Sequence, residues 1–513
     1  MDRGRILLVL PFDNRSGQPS LEWVREAAPE ILSSRFLSAG FAPMSRADRL
    51  YALDHLGLPE GFHPSRATAL KLAQTLDADS IVVGSFVTDG SGIVAEAQVV
   101  DVPRLRMGQP VTARGDMRDL ISVFDSLAWK LTRQLDPGFS GSEETFVAAG
   151  KGMRVDAFEQ YIRGISEPDH DERLRHLNQA VALSPDFGPA WMALGREDYN
   201  GQQYEQAASA FARVGRDDPK LVGPDALEAG FYRGLSLLFS GDYPKAEKAF
   251  AGVARVLPLA EVVNNEGVAV SRQRHDGKAL FRQAVAADPN TADYHFNLAV
   301  SLKRQGDATE ALAELALCLR LRPNDSEAQA LAAQWKSPAA KLEPAADSGS
   351  PEEAKADPLE RIARSFDAVA FHQAAQMLDQ VDEARLTALG PEQRAQKLAG
   401  QARDYLDRGL LLEAERLYLA AVAADDKVPA AHAGLADVRE RTGDAVNARK
   451  EARTSLELMP SVQAYLVMGR LDLAVGHVDE ASYDVSEALK IQPGNRAAQE
   501  LRQQVEAREG QKK

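Results

Sequence analysis

A recurring interval of 34 residues is the feature of this sequence that most limits how it can fold. The positions that mark it are Pro185 and Pro219, Pro289 and Pro323, and Asp426 and Pro460, with Pro493 lying 33 residues further on. A fixed interval of roughly 20 to 50 residues is typical of chains built from stacked structural units. Each unit buries its apolar face against its neighbours, because no unit can bury that face alone.

The residues between the first two prolines identify the kind of unit. They are Trp191, Leu194, Gly195, Ala207 and Phe211. This spacing resembles the helix–turn–helix of the tetratricopeptide repeat (TPR), in which small residues let two helices approach closely and large residues fill the space between neighbours. A proline near the end of each unit stops its second helix. The resemblance covers about 300 residues and implies an α-helical solenoid that presents surface for binding.

The positions of the repeated residues predict two arrays of repeats. The first covers residues 154–336, with five units and a capping helix from Ser326 to Trp335. The second covers residues 358–508, begins with irregular helices from Leu359 to Leu389 and ends in a polar capping helix. The exact number of true repeats stays open, because the first and fourth units and the start of the second array depart from the pattern.

Residues 337–357 interrupt the repeats and are rich in proline, alanine, serine and acidic residues. A segment with so little to bury predicts a flexible linker. The predicted fold class is therefore mainly α: a TPR α-solenoid in two arrays, preceded by a small α/β domain over residues 1–140.

That amino-terminal domain shows strand and turn signals in place of repeats. Residues 6–12 form a short apolar run, and the Asp89-Gly-Ser-Gly turn separates two strand-like segments, 81–87 and 93–100. These patterns predict a buried strand and a β-hairpin.

The segments ILLVLPFDNRSG (6–17) and DADSIVVGSFVTDGSGIVAEAQVVD (77–101) resemble the amino-terminal domain of TolB-type proteins. In that family the domain is an interaction or assembly module, and the resemblance implies the same role here. A structural role as core strands and hairpin is the alternative for the same residues.

Composition excludes several kinds of partner and site. The net charge of −15 argues against nucleic acid, which needs a concentrated basic face, and against anionic membrane surfaces. The single cysteine, Cys318, allows neither an intrachain disulfide nor a thiolate metal cluster. No apolar run reaches the roughly 18–20 residues that a membrane-spanning helix requires. The expected partners are proteins or peptides, and the oligomeric state stays open.

Localisation is predicted to be cytoplasmic as the chain stands. Residues 6–12 are a short apolar stretch that ends at Asp13, which is too short for a secretory signal. A periplasmic location remains the alternative if a leader was removed or missed.

The sequence carries no motif that predicts catalysis. It lacks the phosphate-binding, dinucleotide-binding, zinc-protease and nucleophile-elbow signatures. His170 and His176 are six residues apart, so a helix would place them on different sides, and His432 occupies a packing position. We therefore expect a protein that is not an enzyme, with no catalytic residue, metal site or cofactor.

The candidate site is the inner face of the arrays, formed by the first helices of successive units. Repeat positions 2, 5, 9, 12 and 13 face this groove in a TPR solenoid. The candidate groove residues are Met192, Arg196, Tyr199, Asn200, Asp293, Phe296, Lys303, Arg304, Gln463 and Arg470. Aromatic and cationic side chains together suit an extended or helical peptide. The predicted function is a bacterial-type scaffold or adaptor, and the alternative is a cell-envelope assembly or structural component. For each candidate groove residue, the alternative role is ordinary exposed helix surface.

Overall fold

The computed structural model contains two compact units and describes most of the chain. The described ranges are residues 6–61, 64–214, 224–336, 358–364 and 384–511. One unit consists of Met1–Ser184 with Asp382–Lys513, and the other of Pro185–Val381. No helix in the described ranges is both long enough and apolar enough to cross a lipid bilayer.

The first unit begins with a mixed β-sheet. Its strands are β1 (Ile6–Val9), β2 (Asp13–Asn14), β3 (Ala42–Pro43), β4 (Ser80–Asp89), β5 (Gly92–Asp101), β6 (Arg106–Met107) and β7 (Val111–Asp116). The order is β3-β1-β4-β5-β6, with β2 beside β4 and β7 beside β5. β1 is parallel to β3 and β4, whereas β4 and β5 form an antiparallel hairpin in which Asp89 pairs with Gly92. The predicted hairpin is therefore present.

Helices cover the sheet. They are α1 (Val24–Ser38), α2 (Arg46–His55), α3 (Arg66–Thr75) and α4 (Leu120–Leu135). The apolar face of α4 packs into the core, where the Phe124 and Phe12 rings are in edge-to-face contact with their centroids 5.7 Å apart. The sequence pattern did not predict α2.

The same unit continues with helices and holds the second array. Three helices follow the sheet domain: α5 (Glu143–Ala149), α6 (Val155–Ser166) and α7 (His170–Leu183). The second array contains α17 (Pro391–Asp407), α18 (Leu411–Ala424), α19 (Pro429–Thr442), α20 (Ala445–Leu458), α21 (Val462–Ala474), α22 (Val478–Ile491) and α23 (Arg496–Gln511). α5 packs against α18 and α19. Here the buried Glu415 carboxylate accepts a hydrogen bond from the Ser142 backbone N–H at 3.1 Å.

The second unit holds the first array from Pro185 onward, whereas α6 and α7, which fall within the predicted first array, belong to the first unit. The helices of the second unit are α8 (Gly188–Asn200), α9 (Tyr204–Arg213), α10 (Pro224–Ser240), α11 (Tyr243–Ala254), α12 (Ala260–Arg272), α13 (Lys278–Ala287), α14 (Ala292–Arg304), α15 (Ala308–Leu321) and α16 (Ser326–Lys336). Three helix pairs repeat one contact, in which a glycine of the first helix faces a phenylalanine ring of the second. The pairs are Gly195 and Phe211, Gly234 and Phe250, and Gly267 and Phe281. Added Cβ atoms at these glycines would lie only 2.6–2.8 Å from the rings, so the repeat spacing follows from close helix packing.

A histidine–glutamate pair also recurs. In the first array His295 Nδ1 lies 2.6 Å from Glu314 Oε2, and in the second array His432 Nδ1 lies 2.7 Å from Glu451 Oε2. The Nε2 atom of His432 also lies 2.8 Å from the Asp426 carbonyl oxygen. His432 is thus a packed residue with partners for both ring nitrogens, as its repeat position predicts.

The segment between the arrays differs from the sequence prediction. Irregular helices were expected from Leu359 to Leu389; residues 358–364 form neither helix nor strand, whereas residues 384–387 are helical. Residues 358–364 lie against α12 and α14 of the first array. Residues 365–383 and the predicted linker, 337–357, lie outside the described residues. The helical pattern could not anticipate this path, because the contacts that fix it come from side chains 34 to 98 residues away.

Candidate functional site

The inner helices of the first array hold residues 358–364, which we call the groove segment. Three asparagines bind its main chain: Asn264 and Asn265 on α12, and Asn297 on α14. All three are fully buried. Asparagine is a poor residue for a helix interior, and a buried carboxamide without partners destabilises a protein. Their hydrogen bonds to the groove segment remove that penalty.

The hydrogen bonds come in reciprocal pairs. Asn297 Oδ1 accepts from the Arg361 N–H at 2.6 Å, and Asn297 Nδ2 donates to the Arg361 carbonyl oxygen at 2.8 Å. Asn265 does the same for Ala363, with both distances 2.8 Å. Asn264 supports this arrangement by accepting from Asn297 Nδ2 at 2.8 Å and donating to the Arg361 carbonyl at 3.2 Å. Two carboxamides therefore bind two alternate residues of one segment.

A cationic pocket surrounds Glu360. The carboxylate of Glu360 pairs with Arg304 and accepts a hydrogen bond from the Ser271 hydroxyl, and Arg272 Nε lies 3.1 Å from its second oxygen. The guanidinium groups of Arg304 and Arg272 also donate to the carbonyl oxygens of Pro358 and Glu360, at 3.0 and 3.2 Å. Only 1% of the Glu360 side chain is exposed. The pocket thus compensates the charge that it buries.

An acidic pocket surrounds Arg361. Its guanidinium donates to Asp325 at 2.6 and 2.9 Å, and to Asp293 and Glu327 at 2.9 Å each. The same group lies 3.6 Å from the centroid of the Phe296 ring, which is a cation–π contact. Burial alone would lower the pKa of Arg361, but the hydrogen bonds to Asp325, Glu327 and Asp293 raise it above its usual range. In turn, the hydrogen bond from Arg361 lowers the pKa of Asp325.

Three of the sequence-predicted groove residues meet at this site. Asp293 and Phe296 contact Arg361, and Arg304 contacts both Pro358 and Glu360. Lys303 is half-buried and directly precedes Arg304 on α14.

The predicted groove residues of α8 lie elsewhere in the same unit. Arg196 pairs with Glu228, Tyr199 packs against Tyr232 at 5.2 Å between ring centroids, Met192 is buried in a core cluster, and Asn200 is exposed. Tyr199 also contacts Phe239, whose ring lies 5.3 Å from the Arg364 guanidinium. An aromatic surface therefore continues from the carboxyl end of the groove segment.

The predicted groove residues of the second array contact their own neighbours. Arg470 pairs with Glu440 at 2.7 Å and with Asp437 at 3.2 Å, and Gln463 donates to Asp437 at 3.1 Å. These side chains form a polar cluster within the array.

Sequence reasoning missed the asparagines and the groove segment. A signal for two of the asparagines was present, because Asn265 and Asn297 stand 32 residues apart and each is the sixth residue of its helix, α12 or α14. Buried carboxamides repeated on successive inner helices need hydrogen-bond partners, which the groove segment supplies here. Within the described residues, no cluster of three or more histidine, cysteine or acidic side chains could hold a metal ion.

Comparison with solved structures gives short, low-identity matches. MamA from Desulfovibrio magneticus RS-1, from residue 41 to its end, is 22% identical and covers 34% of this chain and 100% of its own, with a TM-score of 0.30. YrrB, described as a TPR protein with an unusual peptide-binding site, is 14% identical over 40% of this chain and 98% of its own, with a TM-score of 0.30. The LpoB C-terminal domain from Salmonella enterica is 16% identical over 23% and 86%, with a TM-score of 0.19.

Comparison by sequence assigns the repeats. No curated protein matches the chain. The family model described as tetratricopeptide repeat matches residues 192–258, 270–326 and 400–461. The amino-terminal domain lies outside these matches, so its resemblance to the TolB-type domain stays an interpretation of the sequence. The three matched segments are tetratricopeptide repeats, and the chain carries such repeats in both of its helical arrays.

Proposed function

We propose that the protein is a non-enzymatic interaction scaffold whose first array binds an extended polypeptide segment across α12 and α14. Tetratricopeptide repeats support protein–protein interaction as the general role. The finer proposal, binding of a segment in this groove, comes from the contacts of the first array. The groove residues we assign to this role are Asn264, Asn265, Asp293, Phe296, Asn297 and Arg304.

One observation carries the proposal: Asn297 and Asn265 each bind both main-chain groups of a residue in the groove segment. The bound residues are Arg361 and Ala363, two positions apart. In an extended chain, alternate residues turn the same way, so one row of carboxamides can bind a continuous stretch. Main-chain groups are common to all polypeptides, and these contacts therefore suit any extended segment that fits the groove.

The polar cluster of the second array gives no comparable support for a ligand there. Gln463 and Arg470 bind Asp437 and Glu440 of the same array. The proposal is accordingly confined to the first array, where Tyr199 and Phe239 extend the groove beyond Arg364.

The test uses the full chain with residues 358–364 replaced by alternating glycine and serine, which empties the groove. Binding of a capped, fluorescent peptide of sequence PLERIAR is followed by anisotropy. Asn265→Ala together with Asn297→Ala removes four hydrogen bonds to the peptide main chain. Each contributes about 0.5–1.5 kcal/mol, so we expect the affinity to fall at least 10-fold.

The matched control is Asn290→Ala, which changes an exposed asparagine in the turn before α14. It should leave peptide affinity unchanged. Equal affinity for the emptied chain with and without the two groove asparagines would refute the proposed binding mode.

A further inference from the structure

The two pockets of the groove lie at opposite ends of one helix. Arg304, in the cationic pocket, is near the carboxyl end of α14, and Asp293, in the acidic pocket, is near its amino end. Eleven residues of helix separate them by about 16 Å. Consecutive side chains of an extended segment point to opposite sides, so Glu360 and Arg361 reach pockets that a single side chain could not span.

The order of the two charges is fixed by the main-chain contacts. Asn297 binds the N–H and carbonyl of Arg361, which sets the register of the segment on α14. With that register, an arginine at position 360 would face Arg272 and Arg304, and a glutamate at 361 would face Asp293 and Asp325. Both replacements bury like charges against each other, which destabilises the complex.

The acidic pocket also discriminates between the two basic residues. Arg361 donates to both oxygens of Asp325, and its guanidinium carbon lies 3.6 Å from the centroid of the Phe296 ring. A planar guanidinium makes this pair of contacts, whereas the ammonium group of lysine is a point charge. The pocket is thus built for arginine.

The groove segment is covalently joined to the array that binds it. Residues 337–357, which lie outside the described residues, join it to α16 along the chain. Because the segment and the array belong to one chain, their association is intramolecular. Any separate polypeptide must compete with it.

We propose that the groove of the first array is specific for an extended segment in which glutamate directly precedes arginine, and that residues 358–364 are a built-in competitor of that ligand. The inference rests on the proposed function and adds the chemistry of the partner and the means of its control. A partner carrying this pair binds when the groove segment leaves.

The competition is tested with the full chain and the capped, fluorescent PLERIAR peptide. Glu360→Ala with Arg361→Ala removes both side-chain anchors of the built-in segment and leaves the groove residues intact. We expect the peptide to bind this double variant at least 10-fold more tightly than the wild-type chain. Equal affinity for the two chains would overturn the competitor role.

The sequence preference is tested on the same double variant with a second peptide, PLREIAR, in which only the order of the two charges changes. It should bind at least 10-fold more weakly than PLERIAR, and equal binding would overturn the specificity. If Asn297→Ala lowers peptide affinity but the two peptides bind equally well, this inference is refuted and the proposed function stands. If replacing the groove asparagines leaves peptide affinity unchanged, the proposed function itself is refuted.

Two control measurements check that the double variant is folded and that the wild-type chain is a monomer. Circular dichroism checks that the double variant is folded; if it is not, Glu360→Gln, which keeps the shape of the side chain, replaces it with the same expected direction. Sedimentation of the wild-type chain should give a mass independent of concentration. A dimer that forms with rising concentration and is lost in the variant would place the segment in a second copy's groove, and would overturn intrachain competition.

Discussion

The Ala207→Asp variant is expected to lose about 3–5 kcal/mol of unfolding free energy in the first array. Ala207 is fully buried on α9, in a cluster with Met192, Phe211 and Val214. A carboxylate there would be desolvated with no basic partner in that cluster, and the larger side chain would separate helices that pack closely. Denaturant unfolding followed by tryptophan fluorescence measures the change, because Trp191 packs against the same cluster.

Ser209→Asp is the matched control for this variant, because Ser209 is exposed on the same helix. It introduces the same charge without burial, so we expect a loss of at most about 0.7 kcal/mol from helix propensity. A midpoint for Ala207→Asp equal to that of the control would contradict the proposed repeat register.

The Gly434→Ala variant is expected to destabilise the second array by about 1–3 kcal/mol. Gly434 lies within α19, where a Cβ atom would be only 2.0 Å from the ring of the buried Tyr418. The ring must move, although the rest of the core is closely packed. Replacing glycine by alanine within a helix otherwise stabilises it by about 1 kcal/mol, so the contact with Tyr418 decides the sign.

Gly400→Ala is expected to have the opposite effect on the stability of the same array. Gly400 is exposed in α17, and nothing lies within 4 Å of the position that its Cβ would occupy. Here the helix propensity acts alone, and stability should rise by up to about 1 kcal/mol. Scanning calorimetry of the two variants checks both signs, and a stabilised Gly434→Ala protein would disprove the close packing of α18 on α19.

The repeats could be predicted from sequence because their defining contacts join residues close together in the chain. Gly195, Ala207 and Phe211 stand at spacings that two packed helices require, and the structure shows those contacts. The β4–β5 hairpin follows equally from alternating apolar residues around a glycine turn. The helix α2 lacked such a signal, since its charged residues outnumber its buried ones.

The groove could be predicted only in part. The repeat positions predicted that Asp293, Phe296 and Arg304 face the groove, and in the structure all three contact the groove segment. Their ligand could not be predicted, because the pairing of Asn265 with Ala363 joins residues 98 apart and leaves no periodic trace. The predicted helix at Leu359 failed for the same reason: long-range hydrogen bonds override local helix propensity.

Hydrogen–deuterium exchange at the Arg361 and Ala363 amides tests the central claim most directly. Both N–H groups donate to buried carboxamides, Asn297 Oδ1 and Asn265 Oδ1. In the full chain these two amides should exchange at least 100-fold more slowly than an unstructured peptide of the same sequence. Exchange at the rate of the free peptide would show that the groove does not hold an extended segment and would contradict the account.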